Sequence, residues 1–287
     1  MKRYDRHQQD VGNILMLEHV NVRVPDQRLA TAFYIQGLGF TRDPYIMVGV
    51  ENMWINMGQT QFHLPTGEPN LMRGHVEIVV PDLEALKKRM ARVAPGLQGT
   101  KFSWKEKDGV VEATCPWGNR VRCHAPAPEF GDTELGLAYV EFDVPPGSAD
   151  GIARFYTEIM DAPSKVVKRH GAPSAEVPIG RGQRLWYTET REPIPPYDGH
   201  HIEMYIAEFS TPYKKLLERG LITMETDAHE WRFQRIVDPK SGKPLFEIEH
   251  EVRSLKHPLY ARPLVNRNPL QTNTAYQRNQ DAFRGKY

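Results

Sequence analysis

Polar and apolar residues alternate along two matching stretches of the chain. In His200-His201-Ile202-Glu203-Met204-Tyr205-Ile206, His201, Glu203 and Tyr205 share one face, and Ile202, Met204 and Ile206 share the other. In Gly74-His75-Val76-Glu77-Ile78-Val79-Val80, His75 and Glu77 oppose Val76, Ile78 and Val80. Each pattern predicts a strand with a polar face and an apolar face. Leu17 to Val24 alternates in the same way, with His19, Asn21 and Arg23 against three valines.

Helical spacing follows two of these strands. Pro25-Asp26 opens a helix through Leu29, Ala32 and Phe33 that ends at Gly37, with Asp26 as its N-cap. Pro81-Asp82 opens a second helix, with Leu83, Leu86, Met90 and Val93 as its apolar stripe. Shorter strand-like pieces lie between, near Tyr45 to Val48, Met53 to Met57, Gln61 to Leu64, Phe102 to Glu106, Val110 to Thr114 and Arg120 to His124.

The order then repeats. Leu137 to Val144 matches the first strand, with Tyr139 at the His19 position. Phe155-Tyr156 matches Phe33-Tyr34, Gly182 to Pro193 matches Gly58 to Pro69 without a gap, and His201 matches His75. A repeat of about 115 residues is too long for a solenoid and implies two related modules. The expected division is an N-terminal arm (1–14), module 1 (15–126), a linker (127–134), module 2 (135–253) and an extended C-terminal tail (254–287).

Composition narrows the partners. Of 287 residues, 25% are charged and 40% hydrophobic, with a net charge of +1 and no basic stripe, which argues against nucleic acid. No apolar run approaches the ~20 residues of a membrane span, and the polar start lacks the apolar core of a signal peptide. Two cysteines, Cys115 and Cys123, fit a reducing cytoplasmic compartment better than a disulfide framework.

The order strand-helix-strand-strand-strand, with HVNVRVPD, AFYIQGLGF, HVEIVVPDLEAL and WGNRVRC, resembles the vicinal oxygen chelate superfamily, which includes glyoxalase I and the extradiol dioxygenases. The resemblance covers about residues 15–253. It implies an α+β fold of two tandem modules, each of paired βαβββ units forming a half-barrel cup. It also implies a divalent metal (Fe, Mn, Zn or Ni), a small oxygen-bearing ligand and, by analogy, a homodimer. Carried onto module 2, the family's ligand positions fall on His201, Glu249 and Tyr139, with Tyr187 and Tyr205 as substrate contacts. Glu203, Glu247 and His200 are the candidate acid–base groups. Module 1 offers a second candidate site in His19, His75, His63 and Arg122, or else an Arg122–Glu77 pair. Two readings follow: a metal-dependent enzyme of dioxygenase, lyase or isomerase type, or a metal-free protein that sequesters a small molecule.

Overall fold

The computed structural model describes residues 4–46, 51–227, 229–264 and the positions 270 and 277. The described part of the chain forms four βαβββ units. The first has β1 (Ile14–Asn21), helix α1 (Gln27–Ala30, continuing as a π-helix over Thr31–Gly37), β2 (Thr41–Arg42), β3 (Asn52–Met57) and β4 (Thr60–Pro65). The second has β5 (Gly74–Val79), α2 (Leu83–Val93), β6 (Ser103–Lys107), β7 (Val110–Thr114) and β8 (Arg120–His124). The third has β9 (Gly136–Val144), α3 (Ala149–Glu158), β10 (Lys165–Arg169), β11 (Ala172–Ile179) and β12 (Gln183–Glu189). The fourth has β13 (His201–Ile206), α4 (Ser210–Leu217), β14 (Ile222–Thr226), β15 (Glu230–Val237) and β16 (Pro244–Ser254).

The helix starts follow the local chemistry. The Asp26 carboxylate accepts hydrogen bonds from the backbone N–H groups of Arg28 and Leu29, and Asp82 accepts one from Ala85. These bonds satisfy amides that have no partner within the helix. Leu86, Met90 and Val93 are buried, as their spacing predicts. The strand expected near Tyr45 to Val48 is not formed over its described part. There the Asp43 carboxylate instead caps a turn by accepting from Tyr45 N and Ile46 N, at 2.8 and 2.9 Å, and residues 47–50 lie outside the described residues.

The units assemble into two eight-stranded sheets, giving the expected paired cups. The pairing crosses the modules. One sheet runs β14-β15-β16-β13-β1-β4-β3-β2, so it joins the first unit to the fourth. The other runs β10-β11-β12-β9-β5-β8-β7-β6 and joins the second unit to the third. The seams are the antiparallel pairs β1–β13 and β5–β9. At the second seam Gly74 has φ +143°, and a Cβ there would lie 1.8 Å from the Glu141 carbonyl oxygen, so only glycine fits.

The apolar strand faces form one continuous core with the helices. Val20, Ile202 and Ile248 from the first sheet share it with Val76, Val140 and Leu185 from the second. A buried hydrogen-bonded chain links the two sheets: Tyr187 Oη and His250 Nε2 each lie 2.5 Å from Tyr156 Oη. Cys115 and Cys123 are both buried free thiols. Among the described residues no helix is long and apolar enough to cross a membrane. Beyond β16 the described tail turns back over the first cup: Tyr260 packs on Tyr205, and Arg262 reaches Asp43 at 2.6 Å.

Candidate metal centre

Cross-pairing decides which side chains meet. In the first cup the register sets Asn21 opposite His201, His19 beside Gln61, and His201 beside Glu249. A bulge in β1 between Leu17 and His19 lets Glu18 bond its own neighbour across one strand face. The rings of His19 and His201 come edge to face with centroids 5.7 Å apart. One nitrogen from each of His19, His63 and His201 lies within 4.8 Å of the others.

The hydrogen bonds fix what these imidazoles present. His19 Nδ1 lies 3.2 Å from Glu18 Oε2, an ionised acceptor, so Nδ1 carries the proton and Nε2 the lone pair. His201 Nδ1 faces Glu249 Oε1 at 3.4 Å. Both Nε2 atoms are buried without a hydrogen-bond partner, and both face Glu251 Oε2, at 3.9 Å from His19 and 3.2 Å from His201. Burial pulls the His19 pKa down, against the pull of Glu18 and Glu251. Burial alone would raise that of Glu251, but His201 and Arg253 hold it well below the usual carboxylate range.

His63 is committed differently. Its Nε2–H donates to Asn52 Oδ1 and its Nδ1 accepts from Asn21 Nδ2, both at 2.5 Å. It stacks on Trp54, with centroids 3.9 Å apart. Burial, with the neighbouring His19 and His201, lowers its pKa to about 2. It forms a neutral wall of an open cavity of about 590 Å³ that His201, Glu249 and Glu251 also line.

Two arginines hold the acids. Arg253 pairs with Glu18 at 3.3 Å, Glu230 at 3.5 Å and Glu203 at 3.8 Å, and also contacts Glu251. Arg232 lies 2.8 Å from Glu230, 2.8 Å from Glu249 and 2.7 Å from Glu251.

The sequence-expected set of His201, Glu249 and Tyr139 does not assemble. Tyr139 lies on β9 in the other sheet, opposite Glu77. Expecting each cup to be built within one module put it beside His201. Tyr187 faces the core and bonds Tyr156; Trp186 is the cup-facing neighbour, stacked under Arg169. The ungapped match of Gly182 to Pro193 with Gly58 to Pro69 is one residue out of register. The strands pair Tyr139 with Arg184 where His19 pairs with Gln61, and a one-residue slip exchanges the two faces. Tyr205 is fully buried beneath Arg253 and Tyr260 and does not line the cavity.

None of the three acid–base candidates lines the cavity. His200 is turned to Asp198, with Nδ1 2.7 Å from its carboxylate. Glu247 is exposed on β16. Glu203 is fully buried behind His19, and burial, with repulsion from Glu18, pushes its carboxyl well above the usual range. Glu251, by contrast, is 2% exposed and central to the cup.

The second candidate set is split between the cups. His19 and His63 are in the first; His75 and Arg122 are in the second. There Arg122 donates to Glu77 at 2.7 Å, His75 bonds it at 2.9 Å, and His124 contacts its other oxygen. Glu141 is held by Arg169 at 2.9 Å and by the Thr188 hydroxyl at 2.7 Å. Both oxygens of each acid are thus occupied, although His75, Glu77 and Glu141 lie within ligating distance of one another. Sequence reading missed Arg232, Arg253 and Glu18; the dense Glu-Arg alternation in β15 and β16 was the available signal.

No family model matches the chain, and no curated protein matches it. Solved structures do. It is similar to glyoxalase I from Zea mays, at TM-score 0.59 and 16% identity, over 88% of this chain and 95% of that one. It is also similar to a protein named "putative dioxygenase" from Bacillus subtilis subsp. subtilis str. 168, at TM-score 0.55 and 14% identity, over 84% and 86% of the chains. The likeness is one of fold: the chain shares the two-module architecture of these two structures.

Proposed function

We propose that the first cup is the metal-dependent active site of an enzyme acting on a small oxygen-bearing organic molecule. One observation carries this reading: two buried imidazole nitrogens with no hydrogen-bond partner, His19 Nε2 and His201 Nε2, converge on the carboxylate oxygen of Glu251. Unpaired ring nitrogens and a carboxylate oxygen are costly in a low-dielectric site, and a cation between them, a metal ion or a proton, offsets that cost. Two imidazoles and one carboxylate suit Fe(II), Mn(II), Zn or Ni. Glu18 and Glu249 face the Nδ1 sides of the two imidazoles, the arrangement that fixes a ligating tautomer and raises its basicity.

The bound metal would supply Lewis-acid stabilisation of oxyanion charge on a substrate holding two adjacent oxygens. The protein's own groups do the rest. Trp54 and the neutral His63 form a flat wall against which a planar substrate lies. Glu249, whose side chain is 26% exposed to the cavity, is placed to take or return a proton. Arg253 lines the cavity, with Glu203 enclosed out of reach of solvent.

The second reading, a metal-free binder, is favoured by one contact: Arg232 already occupies oxygens of Glu249 and Glu251. Elemental analysis of the purified protein, with His19→Ala and His201→Ala, separates the two. The enzyme reading expects bound transition metal that either substitution removes. Metal-free protein that gains no thermal stability from added Fe, Mn, Zn or Ni would falsify it.

A further inference from the structure

We propose that Arg232 is a built-in competitor for the cation position of the first cup, setting how tightly that position takes a metal. The inference rests on the metal-site reading above. Its basis is one shared oxygen: Glu251 Oε2, on which the two imidazoles converge, is also the oxygen 2.7 Å from Arg232 Nη2.

The geometry makes Arg232 a bridge. It lies opposite Glu251 in the β15–β16 ladder. Nη1 reaches Glu249 Oε1 at 2.8 Å and Nη2 reaches Glu251 Oε2, so the planar fork spans two carboxylates that face the imidazoles. Only guanidinium has this span among cationic side chains. A cation ligated by Glu251 Oε2 must compete with that hydrogen bond.

Two features make Arg232 the one that yields. Its Nε bond to Glu230 Oε1, 2.8 Å, does not involve the cup's metal-facing oxygens. Its side chain is 19% exposed and lines the cavity, so it has water to withdraw into. Arg253, the other arginine at Glu251, is 7% exposed and tied to four acids. Competition of this kind raises the threshold for every cation and excludes those that imidazole–carboxylate sites bind weakly.

The test is a Co²⁺ titration of the metal-stripped full chain, read by visible absorbance, for wild type, Arg232→Met, Arg232→Lys and Arg235→Met. Arg235, exposed on the same strand, controls for loss of one charge. The expected result is binding about tenfold or more tighter in Arg232→Met, an intermediate gain in Arg232→Lys, and little change in Arg235→Met. Binding by Arg232→Met alone, abolished by His19→Ala, also supports the proposal. If wild type binds Co²⁺ and Arg232→Met binds equally or more weakly, the competitor role is overturned while the metal site stands. Should Arg232→Met not fold, Arg232→Lys decides by the same comparison. No binding by any of these proteins overturns both the site and the competitor.

Discussion

His19 and His201 come from the first and the last of the four units, yet their rings meet edge to face at 5.7 Å. That contact exists because β1 and β13 are adjacent and antiparallel. It makes the two cups chemically distinct: one has unpartnered imidazole nitrogens, and the other has its acids fully bonded.

The two cups therefore respond differently to substitution. His75→Ala and Tyr139→Phe are expected to leave metal content unchanged, while His19→Ala and His201→Ala each abolish it. Metal analysis of the four purified variants checks this. Loss of metal from Tyr139→Phe would move the site to the other sheet.

Glu77 ties acid stability to the second cup. Burial raises its pKa, but hydrogen bonds from His124 and His75 outweigh that and hold it well below its ordinary value of 4.5. A depressed carboxyl contributes stability above its unfolded pKa, and that contribution is lost as pH falls through the folded one. Glu77→Gln is expected to cost about 3 kcal/mol near neutrality and to flatten the fall in stability below pH 4.5. Denaturant unfolding at stepped pH measures both.

His250 gives the opposite ionisation case. Its Nδ1–H donates to Ile248 O at 2.8 Å, so Nε2 accepts from the Tyr156 hydroxyl. Burial lowers its pKa from 6.5 to about 3. The unfolded chain therefore takes up this proton first, and stability drops as pH falls from 6.5 toward 3, by on the order of 5 kcal/mol. His250→Gln is expected to remove this slope. Tyr156→Phe, which orphans a buried acceptor, is expected to cost about 1–3 kcal/mol at neutral pH.

Asp43 and Arg262 form an ion pair with both side chains at most 1% exposed. Breaking it from one side leaves a buried charge, so Arg262→Ala is expected to cost about 3–5 kcal/mol. Hydrogen exchange over residues 255–264 should speed up selectively, while exchange at the β5–β9 seam stays slow. Unchanged exchange over the strap would mean that this pair does not fasten it.

Much of this architecture was legible in the sequence because alternation reports faces. Val20, Val22, Ile202 and Met204 are buried as their period requires, and Asp26 and Asp82 cap the helices they precede. Alternation does not report partners. Nothing in LEHVNVRV says whether β1 pairs within its own module or with β13, so Tyr139 was grouped with His201. Tyr187 failed for a smaller reason, a one-residue offset between otherwise matching segments. Arg232 was hidden because an arginine among glutamates reads as a solvated face, and only the fold shows three of those acids closing on it.

The crossed pairing also sets a timetable. His19 leaves the ribosome well before β13 and β16, the strands that complete its surroundings. Such long-range closure is slow to form, and it leaves the β1 edge uncovered during synthesis. Cutting the polypeptide between β8 and β9 would accordingly yield two pieces, each holding only half of either cup. A complete cup would then be recovered only by mixing them.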